Sequence, residues 1–147
     1  MKLYFSSALF LWIFLLSACN KSESVVISPP LLPECDTPVI VDADLFDTAP
    51  SDEFQLLSAV IEGHCLKIVV RYGGGCEEVT FQLIDAAVVM ESFPIQRNIR
   101  LSLEDNDPCE ALITQELLFD LTPLQVDGNS KVVLNLHGSQ ESLTYQY

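Results

Sequence analysis

The chain has 147 residues, 49% of them hydrophobic, and its 21 acidic against 7 basic side chains leave a net charge of −14 at pH 7. Nucleic-acid binders draw their affinity from Lys and Arg neutralising phosphates, so this balance excludes that class, and it equally excludes electrostatic docking on anionic lipid. The length suits one modest domain with an extension.

Residues 1–18 differ from everything that follows. Lys2 is their one charge, and Leu3–Leu16 (LYFSSALFLWIFLL) is apolar apart from Tyr4 and two serines. The run is shorter than the roughly 20 residues a bilayer span needs, so it reads as a secretory signal peptide. It ends in Leu16-Ser17-Ala18-Cys19, which resembles the lipobox of bacterial lipoproteins. The resemblance implies diacylglycerol on the Cys19 thiol and cleavage before Cys19. Two or three acyl chains, at about 0.8 kcal/mol per buried methylene, would fix such a chain to the membrane. Loss of Lys2 takes the mature charge to −15.

Residues 19–34 read as a tether. They are polar at first, then carry Pro29, Pro30 and Pro33, which lack an amide donor, and they show no periodicity. The segment 34–53 is acidic and irregular, with Val39-Ile40-Val41 as a candidate short edge strand, so the compact domain is expected over 35–147.

From Phe54 onward, runs of β-branched, aromatic and leucine residues recur every eight to twelve residues between turn signals. Strands are expected near 54–61, 65–72, 79–85, 87–91, 98–104, 112–121, 130–136 and 142–147. Leu66, Ile68, Val70 and Tyr72 fall on one face of their strand, because successive strand side chains point to opposite sides. The same alternation places Val79, Phe81 and Leu83 together, then Ile99, Leu101 and Leu103, Leu117, Phe119 and Leu121, Val132, Leu134 and Leu136, and Leu143, Tyr145 and Tyr147. Six segments with one apolar face each call for two packed sheets. The fold class is therefore all-β, an immunoglobulin-like antiparallel β-sandwich of seven or eight strands. A short helical turn is expected at Pro108–Leu112.

With Cys19 assigned to lipid, Cys35, Cys65, Cys76 and Cys109 remain, an even number in an exported domain. Four cysteines allow three connectivities. We pair Cys76 with Cys109, since both sit in turn-like punctuation (GGGC and DPC) at a sheet end, which leaves Cys35 with Cys65. A zinc site lacks CxxC or HxxxH spacing, and redox catalysis lacks a CxxC pair. Gly73-Gly74-Gly75 has no Gly-Lys-Ser/Thr after it and reads as a bend with positive φ. Asp105, Asp107 and Glu110 offer oxygens that calcium favours, but without EF-hand spacing they read first as a solvated turn.

Arg97 and Arg100 stand out in a chain poor in positive charge and should point to opposite faces of their strand, pairing with acids across strands. Neither His64 nor His137 has a partner placed for nucleophilic catalysis, and no catalytic residue or cofactor is expected.

The stretches YGGGCEEVTFQL, DNDPCEAL and LLFDLTPL resemble small envelope lipoproteins of Gram-negative bacteria with a β-sandwich body. The resemblance spans residues 54–147 and implies no catalytic residue. The expected function is a non-enzymatic binding or structural module, anchored at the outer membrane and engaging an envelope protein or glycan. The alternative is an inhibitor or a small-ligand or calcium carrier whose loop or pocket is built by 34–53 or 104–110.

Overall fold

The computed structural model describes Cys35 and residues 37–147; Cys19, the leader and the tether lie outside the described residues. Two sheets carry nearly all of the regular structure. Strands β3 (Phe54–Glu62) and β4 (Cys65–Gly74) form a hairpin, followed by β5 (Thr80–Met90), β6 (Gln96–Glu104), β7 (Ala111–Asp120), β8 (Lys131–Leu136) and β9 (Leu143–Gln146). Two short strands precede them, β1 (Thr37–Pro38) and β2 (Ile40–Val41), then helix α1 (Ala43–Thr48). One sheet has the order β1-β7-β4-β3 and the other β2-β5-β6-β8-β9. Among the described residues no helix is long and apolar enough to cross a membrane.

The apolar faces read from alternation meet between these sheets. Leu66, Ile68, Val70, Leu83, Ile99, Leu103, Leu121, Val132, Leu134 and Tyr145 are buried to 1% exposure or less and belong to one core. Residues 37–41 cross from one sheet to the other, and Val39, at the crossing, fills the core. The chain is thus an all-β sandwich, with nine strands in two mixed sheets. The pairs β1/β7, β2/β5 and β6/β8 run parallel. For β6 and β8 the reason is topological: β7 returns the chain through the opposite sheet before β8 begins.

Three local expectations need revision. The strands foreseen at 79–85 and 87–91 are one strand, bent by a bulge between Asp85 and Val89 where Ala87 takes φ 56°. The helical turn foreseen at 108–112 is instead loop followed by strand, because the Asp107 side chain takes the Cys109 amide and Ala111 already pairs with Gly74. The acidic segment holds α1, capped by Asp42, whose Oδ1 accepts from Leu45 N at 2.9 Å. The far end of α1 is held by Arg100, which donates to the carbonyls of Phe46 (2.6 Å), Ala49 and Pro50 (3.0 Å). Arg100 therefore binds backbone carbonyls on the outer face, while Arg97 turns inward.

Both disulfides are present, Cys35–Cys65 and Cys76–Cys109, separated by 30 and 33 residues. In the chain-entropy account each contributes roughly 3.5–4 kcal/mol.

Candidate functional site

The two disulfides mark opposite ends of the sandwich. β4 begins at Cys65 beside Cys35 and runs ten residues to Gly74, where the loop carrying Cys76 begins. At the Cys65 end, His64 Nδ1 lies 2.8 Å from the Tyr145 hydroxyl, which also accepts from Gln125 Nε2 at 2.9 Å. Burial raises the Tyr145 hydroxyl above its ordinary pKa. His64 thus serves as packing for the last strand, ring to ring at 5.9 Å.

The other end is an acidic rim. The loops 50–54, 73–79 and 104–111 converge there, and they are tied by side chains to backbone. Asp52 Oδ2 accepts from Asp105 N at 2.8 Å, and Asp52 N donates to Leu103 O. Asp105 Oδ1 accepts from Asp107 N. Asp107 Oδ2 accepts from the amides of Cys76 (2.8 Å) and Glu77 (2.9 Å), and its Oδ1 from Cys109 N (2.8 Å). Those amides, Glu77 first and then Cys109, hold the Asp107 carboxyl below the ordinary carboxylate range. Gly74 (φ 156°) and Gly75 (φ 112°) let the loop close under this carboxylate, as expected of a glycine bend.

Beneath the rim lies a groove of about 460 Å³, lined by Glu53, Arg71, Tyr72, Asp105, Asp107, Glu110 and Leu112 among others. Burial, then the charges of Asp105 and Asp107, raise the pKa of the Tyr72 hydroxyl, which donates to Gln115 Oε1 at 2.9 Å. Arg71 is the groove's one cation, and its Nε is buried without a hydrogen-bond partner among the described residues. Leu112 adds an apolar element that is 72% exposed. Such a surface suits a ligand that brings positive charge and one apolar contact.

The rim gathers both stretches named from sequence as loop builders, through Asp52, Glu53 and residues 104–110. It gathers all three calcium candidates as well, but their geometry is that of a closed loop. Three of the four oxygens of Asp105 and Asp107 face backbone N–H groups, so they are not turned toward a common cation. Cys76, Asp107 and Cys109 bring potential ligand atoms within 4.8 Å of one another, yet both sulfurs are spent in the disulfide.

A second groove, of about 410 Å³, holds His137 beside Asp47, Ser51 and Arg100. The residue types could make a relay, but among the described residues no side-chain hydrogen bond joins His137 to any of them, and Arg100 is engaged by carbonyls. The arrangement lacks the nucleophile–base contact that acyl transfer requires.

The cross-strand acid expected for Arg97 is present, but its burial escaped the sequence reading. Asp85 is wholly buried and forms a bidentate pair with Arg97, Nε to Oδ2 at 3.0 Å and Nη2 to Oδ1 at 2.6 Å. Asp85 Oδ1 also accepts from Ala87 N at 2.8 Å, which shapes the β5 bulge. The pair lines neither groove and is a structural element of the interior. Its signals were a lone acid in LIDAAVV and, in IQRNIR, an arginine at the position that shares a face with Ile99.

No protein-family model matches the chain, and comparison with curated proteins gives no match. Among solved structures it is similar to a NigD-like immunity protein from Bacteroides caccae, with a TM-score of 0.56, 14% identity, and coverage of 77% of this chain and 60% of that one. It is similar also to a protein of unknown function from Bacteroides vulgatus, with a TM-score of 0.51, 12% identity, and coverage of 76% and 57%. The chain therefore spans less than two thirds of either neighbour, and what it shares with them is the all-β sandwich fold.

Proposed function

We propose that this chain is a non-enzymatic binding module, lipid-anchored through Cys19 in the cell envelope, that offers its acidic rim to a basic protein surface. The observation that carries the reading is the placement of the groove. The chain enters the domain at the Cys35–Cys65 end, and the groove opens at the opposite end, clear of the incoming chain. A solved neighbour of the same fold is named an immunity protein, which fits a non-enzymatic binding or inhibitor role. Loops tied by Asp52, Asp105 and Asp107 give a preorganised surface, and preorganisation lowers the ordering cost of association.

A photo-crosslinking residue in place of Leu112, in cells producing the full chain, tests the binding surface. Capture of a discrete protein partner, lost on raising the salt concentration, is the expected result. Absence of any adduct, or an identical adduct from a probe placed at Glu62 on the other end, would overturn it. Mass spectrometry of the mature N-terminus tests the anchor separately, and an unmodified Cys19 would refute that part.

A further inference from the structure

We infer that the outer edge of β3 is a docking site for an extended segment of a partner protein, which adds a strand to the β1-β7-β4-β3 sheet; this surface is separate from the acidic rim and independent of any anchor. β3 ends its sheet, and among the described residues its backbone bonds only to β4. The other edge elements are short: β1 and β2 have two residues each and β9 has four, whereas β3 has nine. Short edges blunt a sheet against added strands, and a long one invites them. No residue of β3 is buried, and FQLLSAVIE contains neither the proline nor the lysine that would guard an edge. Its one charge, Glu62, stands at the strand end.

The hairpin turn decides which backbone groups are open. Gly63 (φ 63°) and His64 form a two-residue turn closed by the pair Glu62 and Cys65. Such a closing pair is hydrogen-bonded, and bonded pairs then alternate along the ladder, so Val60 faces Lys67 and Ser58 faces Val69 with their amides turned into the sheet. Ala59 and Ile61 therefore turn N–H and C=O outward while their side chains pack on the core. A bulge breaks the register between Leu56 and Ser58, but Ser58 to Glu62 pair with β4 without interruption. A row of open amides and carbonyls on an extended strand is matched by another extended strand.

A groove runs beside this edge in two chambers, of about 410 and 360 Å³, that meet at Leu56 and Gly138. Leu56, Ala59 and Leu143 line the second chamber, so side chains that an added strand turns inward meet apolar walls. β7 is also free before Thr37 joins it at Phe119, but the cavity beside that stretch is smaller, about 250 Å³, and Gln115 and Glu116 interrupt its apolar side chains. Charge selects the occupant. Asp47 and Glu141 stand along the groove, its Arg100 is taken up by carbonyls, and a net charge of −14 repels a second copy of the chain. The partner segment thus carries an apolar residue at every second position and Lys or Arg between them. Antiparallel addition, the more stable pairing, sets its apolar residues opposite Ala59 and Ile61, because directly opposed residues share a face and exchange their N–H and C=O groups.

The test follows amide hydrogen exchange by NMR in the full chain, isotope-labelled and held in detergent, with the capped peptide acetyl-Lys-Val-Lys-Val-Lys-Val-Lys-amide as probe. In the free chain the Ala59 and Ile61 amides should exchange as open groups, while Val60 is protected by its pairing with Lys67. With the peptide in excess, exchange at Ala59 and Ile61 should slow by about tenfold. Methylating the backbone nitrogens of the peptide's valines should abolish that protection, and methylating those of its lysines should leave it. Unchanged exchange at Ala59 and Ile61 overturns the edge assignment; if the peptide then shifts only rim amides such as those of Asp105 and Glu110, the rim reading stands without it. Equal effects from the two methylated peptides overturn strand addition. Protection of Ala59 and Ile61 in the free chain overturns the assignment as well: protection that grows with protein concentration gives the edge to a second copy, and protection independent of concentration gives it to a segment of the same chain.

Discussion

Replacing Asp85 by Asn isolates the electrostatic part of the interior. The substitution keeps the side chain's shape and an oxygen for Ala87 N, but it removes the charge opposite Arg97, a residue only 6% exposed. A buried guanidinium left without its counter-charge costs roughly 3–5 kcal/mol, because neither water nor another acid can replace the lost partner. A domain of this size has about 5–15 kcal/mol in total, so roughly a fifth or more of the stability is at stake. With an m value of about 1.5 kcal/mol/M in urea, the unfolding midpoint should fall by roughly 2–3 M. Urea unfolding with both disulfides intact, followed by circular dichroism, reads this directly. The double variant Asp85→Leu with Arg97→Met removes both charges and should recover to within about 1–2 kcal/mol of the parent, since an apolar pair of similar volume replaces a buried ion pair at little cost. A shift below about 0.5 M for Asp85→Asn would refute the reasoning. So would a double variant no more stable than the worse single one.

Other predictions concern the rim and its crosslinks. Because amides depress the Asp107 pKa in the folded chain, its stabilisation is complete above the ordinary carboxylate value and is lost as pH falls through the lower folded value. The amide proton shifts of Cys76, Glu77 and Cys109 should therefore titrate together with a midpoint below the ordinary 3.8, and a shared midpoint above it would contradict the cradle. Gly75→Ala, at φ 112° with the Ala111 side chain 3.3 Å from the added Cβ, should cost about 1–3 kcal/mol, whereas Gly73→Ala, with open space around it, should be nearly neutral in the same melt. Removing Cys76 and Cys109 together should lower the melting temperature by roughly 10–20 °C, as read by calorimetry.

The strands were legible because a period of two survives any tertiary context in which one face is buried. Leu66, Ile68, Val70, Ile99, Leu103, Val132 and Leu134 all reach the core on the side their alternation gives them. Pairing direction was not legible, since a parallel and an antiparallel neighbour bury the same face. The β6/β8 pair is parallel for reasons that lie in the route of β7. Helix α1 was signalled by Asp42 before Ala43-Asp44-Leu45, but six residues are too few to show a helical period among so many acids.

The disulfide partners followed from chain punctuation, because cysteines in turns at one sheet end come together once the sheets stack. The groove needed more. Glu53 and Arg71 meet through the β3–β4 hairpin, but Asp105 is joined to them by Asp52 bonding Asp105 across 53 residues, and nothing local encodes that contact. The Asp85–Arg97 pair shows the limit most clearly. Charge in a strand is read by default as a break or a solvated face, and Asp85 falls at the end of the strand expected over 79–85. Its burial depends on the bulge at Ala87, which inserts extra residues between Asp85 and Val89 and leaves Val89 opposite Arg97. The carboxylate that accepts the Ala87 amide at that bulge is the one that pairs with the guanidinium. Charge burial and strand geometry thus depend on each other here, and a reading that assigns strands before charges finds neither.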